Sequence, residues 1–364
     1  MHVAILIGHF PPGSFGGAEI QAEGWAKRLS DRHRVTVITR RDPPGQSERE
    51  ERDGFTVVRL PVSKLPLWRT FSDIAAIGRA VGALNPRPDV LLCFQTFVSG
   101  LAGVRAGKRL GIPAIVWIRG EAEYRLGDSR VNALVSPRVW CGARGVLVQS
   151  EQNRVDLLHE LERHAPARVV AVRERLGVIG NGLDLPAGTL PPGTRVLSVG
   201  RLIADKGMDV VIDAARAAAL PLVIAGDGPE RAALEARAEG ADCRFEGFAS
   251  RDRLDTLYRE ASVAVLAARR GEGLPNVLLE AMAYARPVVA TPCAGTRDLL
   301  VDGVNGLVIP PDDPAALTAA LRRLGGDATF AAALGAEARR TAERFAWSAV
   351  RPQLEAALAR WSAR

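Results

Sequence analysis

The stretch "VIGNGLDLPAGTLPPGTRV", residues 178–196, divides the chain into two parts written in the same rhythm. Upstream lie the short apolar runs "VAILI" (3–7), "VTVIT" (35–39), "FTVVRL" (55–60), "DVLLC" (89–93), "AIVWI" (114–118) and "GVLVQ" (145–149). Helical patterns fill 18–30, 68–84, 97–110, 131–142 and 151–163 between them. Downstream the alternation restarts with "RVLSVG" (195–200), "PLVIAG" (221–226), "CRFEGF" (243–248), "VAVLA" (263–267), "PVVAT" (287–291) and "GLVIP" (306–310). Continuous β-branched runs of this length suit parallel strands buried on both faces. The Gly and Pro cluster between the two series has the composition of a hinge. Two successive βα series predict an α/β chain of two doubly wound, Rossmann-like domains, 1–178 and 179–345.

Composition is compatible with that reading. The 364 residues are 47% hydrophobic and 24% charged, enough to give each domain its own core. No run of 18 apolar residues suggests a membrane span. The opening "MHVAILIGHFPPG" lacks a basic leader and reads as a first strand. Cys93, Cys141, Cys243 and Cys293 are too far apart for a paired metal motif, and buried free thiols in a reducing cytoplasm are expected. Residues 1–180 hold 26 Lys and Arg against 18 Asp and Glu, whereas 181–364 hold 22 against 23. The basic excess points to an anionic partner for the first half, a membrane surface or an acidic substrate, or to a solvated basic face.

Ligands of doubly wound sheets bind outside the carboxyl ends of the strands, so the loops after the strands are where chemistry is expected. After the first strand comes "GHFPPGSFGGAEIQAEGWAKRL", with Gly16 and Gly17 just ahead of a helix. Adjacent glycines let a ligand approach backbone amides at a helix start, although a tight turn uses the same pair. In "SVGRLIADKGMDVVIDAA", Arg201 leaves a strand and Lys206 opens the next helix. A guanidinium fork and a mobile ammonium there suit a diphosphate, though two surface cations would look the same. "AGDGPER" places Gly226 in a turn, and "EGFASRDRL" offers Phe248 to a base. "RGEGLPNVLLEAMA" sets Glu272 before a helix opened by Pro275 and Glu280 inside it, among apolar residues. A carboxylate there is unfavourable unless something binds it, and paired sugar hydroxyls are natural ligands for such an acid.

Taken together, "FPPGSFGGAE" (10–19), "NGLD" (181–184), "VGRLIADKG" (199–207), "GDGP" (226–229), "EGLPNVLLEAMA" (272–283), "PVVAT" (287–291) and "GLVIPPDDPAAL" (306–317) resemble the retaining GT-B-fold glycosyltransferases of family 4. The resemblance spans nearly the full chain. It implies a GT-B architecture of two domains facing a central cleft, with the C-terminal helix, 346–364, crossing back onto the first domain. It assigns the donor diphosphate to Arg201 and Lys206, the ribose to Glu280, and the transferred sugar to Glu272. The loop residues Gly273, Leu274, Asn276 and Val277 would cap sugar hydroxyls and phosphate through backbone amides. Gly226 and Phe248 would complete the donor side, and Gly16 and Gly17 would line the donor from the other domain. Glu272, Arg201 and Lys206 are thus the implied catalytic set.

The resemblance further implies transfer from a nucleoside-diphosphate sugar to a hydroxyl of a sugar, glycan or lipid-linked acceptor, with retention by a front-face route. No cofactor and no metal are expected, since no D-x-D pair follows a strand in the second half. One position departs from the pattern. After "AIVWI", where many relatives carry a histidine, the chain reads "RGEAEY", with Arg119 and Glu121 as candidate acceptor or sugar contacts. Arginine stays protonated and cannot act as a base, so the alternative of a catalytically inactive nucleotide-sugar-binding relative stays open. A sugar-nucleotide epimerase shares the fold. A nucleic-acid-binding protein would explain the basic half but not the two glutamates, and no aromatics are interleaved with its cations. A cytoplasmic enzyme of envelope or polysaccharide synthesis is implied. The segment 62–84 aligns Trp68, Phe71, Ile74, Ala75 and Gly78 at helical spacing near Lys64, Arg69 and Arg79, which suits either a core face or peripheral membrane attachment.

Overall fold

Every residue of β1 (His2–Leu6), β5 (Val90–Phe94), β6 (Ala114–Trp117) and β7 (Gly145–Val148) is buried, because helices cover both faces of the sheet they build. The computed structural model describes residues 1–14, 16–61, 66–188, 191, 193–270 and 273–363, with 66–69 and 294 described by backbone alone. Among the described residues the chain forms two compact units. One is Met1–Gly182 together with Trp347–Arg364, and the other is Leu183–Ala346. The expected division after 178 coincides with the end of β8 (Leu176–Val178), and the first unit continues to Gly182.

The first unit carries β2 (Arg34–Arg40), β3 (Arg49–Arg52) and β4 (Phe55–Leu60) beside the strands above, in the order β3-β4-β2-β1-β5-β6-β7-β8. All neighbours pair in parallel except β3, which is antiparallel to β4. The chain moves from β1 to one side of the sheet and then returns to the other at β5. The switch point therefore lies between β1 and β5. The helix Trp347–Ser362 belongs to this unit, burying Val350, Leu354, Leu358 and Trp361 in the core that holds Ile5, Trp25 and Leu147.

The second unit holds β9 (Arg195–Val199), β10 (Leu222–Ala225), β11 (Cys243–Gly247), β12 (Ala261–Leu266), β13 (Val288–Ala290) and β14 (Leu307–Val308). Their order is β11-β10-β9-β12-β13-β14, with every pair parallel. Its switch point lies between β9 and β12. Where the chain enters this unit and where it leaves, the amide of Leu183 donates to the carbonyl of Phe345 at 3.0 Å.

Four expectations need correction. The helix expected over 97–110 is regular only over Leu101–Leu110, because Thr96–Gly100 forms a wider turn with Gln95 and Val98 at positive φ. The cysteines are not uniformly buried: Cys93 is, while Cys141, Cys243 and Cys293 are half-buried. The amphipathic face expected on 62–84 is split in the helix Pro66–Ala83. Ile74, Ile77 and Val81 enter the core, and Phe71 is exposed. Lys64 lies outside the described residues. Finally, β3 and the short helix Val169–Arg173 have no counterpart in the expected elements. Among the described residues no helix is long and apolar enough to cross a membrane.

Candidate active site

In the second unit the loops after β9 and β12 flank the switch point, and Arg269 ties them together. Its amide donates to the Asp205 carbonyl at 2.8 Å. Its guanidinium grips Asp209 at 2.8 and 3.0 Å and meets Asp312 at 2.5 Å. Burial pushes the Asp209 carboxyl up, but the bonds and charge of Arg269 outweigh it and leave the group below the ordinary carboxylate value. Arg270 adds a bond to Asp205 at 3.1 Å. Gly207, at φ +63°, is required here, since a Cβ would overlap the Ala267 carbonyl.

This clamp fixes the segment that carries Arg201 and Lys206. Arg201 is exposed just past the carboxyl end of β9 and has no side-chain partner among the described residues. Lys206 is half-buried at the end of the turn Ala204–Lys206, directly before the helix Met208–Ala217. Gly226, at φ +146°, lies against the same loop, where a Cβ would overlap the Gly200 carbonyl, so packing alone demands glycine there. Phe248 follows β11 and is 63% exposed.

Glu272 lies outside the described residues. Gly273, Leu274 and Pro275 are buried, and Pro275 caps the helix Asn276–Ala283, where Asn276 and Val277 are half-buried. Glu280 is the fifth residue of that helix, with its side chain 16% exposed. Two groups from the helix Arg251–Glu260 hold it: the Tyr258 hydroxyl donates to Oε2 at 2.8 Å, and Arg251 Nη1 reaches Oε1 at 3.3 Å. Burial raises the Glu280 pKa, and the charge of Arg251 and the bond from Tyr258 offset this only in part. Tyr284 stacks on Tyr258 at 5.4 Å, and its hydroxyl bonds Asp255. Sequence reasoning missed Tyr258, Arg251 and Arg269. A tyrosine on the buried face of a helix does signal a need for a partner, but nothing in its spacing names Glu280.

In the first unit Gly16 precedes the helix Gly17–Ser30 as its cap, with Glu19 in the first turn. Arg119, just beyond β6, is buried and donates from Nη2 to Asn181 Oδ1 at 2.7 Å. Gln149 donates to the same oxygen at 2.9 Å. Gln21 pairs with the backbone of Gly182 at 2.8 and 2.9 Å. The "NG" of the expected motif is thus held by side chains of three separate segments. Glu121 is largely buried and paired with Arg125 at 2.5 Å. The structure accordingly places Arg201 and Lys206 in the segment after β9 and Glu280 on the helix that follows β12, the two strands that flank the switch point, and places Gly16 and Gly17 after β1 and Arg119 and Glu121 after β6.

Models of known families match the two units separately. The model of the "Glycosyl transferase 4-like domain" matches residues 16–182, and that of "Glycosyl transferases group 1" matches 193–327. A GDP-mannose-dependent alpha-mannosyltransferase of Mycobacterium tuberculosis is 28% identical over 314 residues, covering 76% of this chain and 75% of that protein. Among solved structures, sucrose-phosphate synthase from Thermosynechococcus elongatus superposes with a TM-score of 0.82 at 20% identity, covering 98% of this chain and 97% of its own. The Anabaena protein HepE, in complex with UDP and glucose, superposes with a TM-score of 0.79 at 20% identity, covering 99% of each chain. With glycosyltransferase models matching one in each unit, and together more than half of the chain, the protein belongs to the group 1, family 4 type of GT-B-fold glycosyltransferases.

Proposed function

We propose that the protein transfers a sugar from a nucleoside-diphosphate sugar to an acceptor hydroxyl with retention of configuration and without a metal. The observation that carries this reading is the Arg269 clamp, which gathers the Arg201–Lys206 loop and the segment leading to Glu280 at one switch point. Cations on one loop and carboxylates on the next provide for a diphosphate between two sets of sugar hydroxyls. The name of the mycobacterial relative and the UDP and glucose bound to HepE support a donor of this class.

In this reading Arg201 and Lys206 hold the diphosphate, and Glu280 accepts from the ribose hydroxyls. Glu272 meets the transferred sugar, and Phe248 lies against the base. The amides of Leu274, Asn276 and Val277 and the turns at Gly226 and Gly273 line the donor. As the bond from the anomeric carbon to the diphosphate breaks, the acceptor oxygen bonds to that carbon on the same face. The leaving diphosphate oxygen takes the acceptor proton. Arg201, Lys206 and the amides stabilise the charge that grows on it. The excess of basic residues in 1–180 supports an acceptor presented at an anionic membrane surface on the cytoplasmic side.

The test is a panel of UDP- and GDP-sugars with glycan and lipid-linked acceptors, followed by NMR, with and without EDTA. The expected result is release of nucleoside diphosphate, a product of unchanged anomeric configuration, and insensitivity to EDTA. Inversion would overturn the mechanism. Tight nucleotide binding without turnover on any acceptor would instead favour the inactive relative.

A further inference from the structure

Arg119 is buried and forms no ion pair among the described residues. It is 9% exposed, two residues past β6, at the carboxyl ends of the strands where doubly wound sheets bind ligands. Its guanidinium lies over two fully buried rings, 4.9 Å from the centre of Trp117 and 5.3 Å from that of Phe94. The hydrogen bond it makes, to Asn181, is to a neutral acceptor. Nε and Nη1, both buried, have no acceptor among the described residues. The buried carboxylate of Glu123 is occupied otherwise, accepting from the amides of Arg119 at 2.7 Å, Gly120 at 3.1 Å and Thr96 at 2.5 Å.

Other arginines of this unit with little exposure are answered by acids. Arg59 pairs with Glu50 at 2.7 Å, and Arg40 with Asp73 at 2.5 Å. In the second unit Arg286 also has unpartnered nitrogens, but it precedes β13 and lies at the amino end of its strand, away from the ligand side. A buried cation without an anion is unfavourable. Burial draws the Arg119 pKa down, and the charges of Glu123 and Glu19 nearby offset this only in part, leaving it at about 9 and the group charged at neutral pH.

We infer that Arg119 is a selectivity residue for an oxyanion, a carboxylate or a phosphate, carried either by the transferred sugar or by the acceptor. This rests on the reading of the chain as a glycosyltransferase, and it concerns a group other than the diphosphate assigned to Arg201 and Lys206. The two rings fix the plane of the guanidinium before any ligand arrives, so little side-chain freedom remains to be lost on pairing. Removal from water strengthens the attraction to an incoming anion. A neutral hydroxyl at the same place would leave the guanidinium without an ion pair.

The experiment is calorimetric titration of the full chain and of Arg119→Gln with UDP, GDP, glucose, glucuronate and glucose 6-phosphate. A donor arm compares UDP-glucuronate with UDP-glucose. The wild type should prefer the anionic member by tenfold or more in one arm, the arm showing whether donor or acceptor carries the charge. Arg119→Gln should lose that preference and keep its affinity for UDP or GDP, and Arg119→Lys should retain part of it. The melting temperature of Arg119→Gln should stay at or above that of the wild type, since a buried charge without an ion pair has been removed. Equal affinity of the wild type for anionic and neutral members in both arms would overturn the inference, as would a preference that survives in Arg119→Gln. Binding of neither UDP nor GDP would defeat the proposed function, and the free-sugar titrations would still decide the role of Arg119.

Discussion

Tyr258→Phe is the substitution that isolates how Glu280 is prepared for its ligand. The change removes one hydroxyl and leaves the ring that stacks on Tyr284 in place. It takes away the donor 2.8 Å from Glu280 Oε2 and leaves Arg251, 3.3 Å from Oε1, as the remaining partner. A hydrogen bond to a charged group contributes about 1.5–3 kcal/mol. Water reaches the 16% of the Glu280 side chain that is exposed, so the lower part of that range applies, about 1.5–2 kcal/mol of stability. If Tyr258 fixes the carboxylate where the ribose arrives, the variant must order it on binding. That ordering costs about 0.5–1.5 kcal/mol, or roughly 2- to 12-fold in affinity.

The pH dependence separates this account from a general loosening of the fold. Glu280 titrates above the ordinary carboxylate value because burial disfavours its charge, while Arg251 and Tyr258 oppose the shift. In the proposed reading its ionised form is the one that accepts ribose hydroxyls. Nucleoside diphosphate affinity should therefore fall on acidification through that raised pKa, and Tyr258→Phe, lacking a donor to the anion, should begin to fall at higher pH. The stability sign is the reverse. The native chain holds the proton longer than the unfolded one, so this group's contribution declines as pH rises from the ordinary value through the raised one. Calorimetry with UDP and GDP on both proteins from pH 5 to 8 reads the difference, with the ligand's own titration common to both. Unchanged affinity, or a deficit constant across that range, would refute the argument.

Arg201→Ala and Lys206→Ala should each weaken nucleoside diphosphate binding by roughly 1–3 kcal/mol; wild-type affinity in both would remove the clamp assignment. Glu280→Gln should reduce affinity for the bare nucleoside diphosphate, whereas Glu272→Gln should lower turnover and leave that affinity intact, which steady-state kinetics beside calorimetry will resolve. Arg269→Met should lower stability by about 1–2 kcal/mol, since the pair with Asp209 is partly exposed, or about 2–8 °C in melting temperature. Because Asp209 titrates below its ordinary value when paired, the loss should be full at neutral pH and vanish as acid protonates Asp209, a trend that thermal melts at several pH values will follow. Liposome flotation should show binding to anionic vesicles that fades with salt, and indifference to such vesicles at low salt would favour a soluble acceptor.

The rhythm of the fold was readable because strands covered on both faces must be continuous apolar runs, as β5 and β10 are. Strand β3 was not, since "REER" carries charge at every position and is a strand only because β4 pairs with it at the edge of the sheet. Charged edge strands resist pairing with other chains, which gives the composition a purpose that periodicity cannot show. The helix expected over 97–110 begins late because the preceding turn holds Gln95 and Val98 in backbone conformations that propensity disfavours. At the site, residue types announced themselves and their partners did not. The question raised by Glu280 among apolar residues is answered by a tyrosine and an arginine from another helix, 22 and 29 residues away. Asp209 and Arg269, 60 residues apart, meet only once β9 and β12 are neighbours.

Pairing, more than position, separates the cations of structure from those of function in this chain. With 48 Lys and Arg, a cation near any loop is expected by chance. Arg269, Arg270 and Arg253 all lie in loops or helix starts on the ligand side of the second sheet, and each is committed to acids: Asp209 and Asp312, Asp205, and Glu246. A cation so held is a poor ligand for a diphosphate, because binding would have to break an existing pair. Arg201 stands among them with no such commitment in the described residues, on a loop that the others hold rigid. Arg119 likewise forms no ion pair among the described residues, and its buried Nε and Nη1 have no acceptor there, although the charges of Glu123 and Glu19 act on it. The committed arginines build the loops, and in the proposed reading the uncommitted ones meet charge that arrives with the substrate.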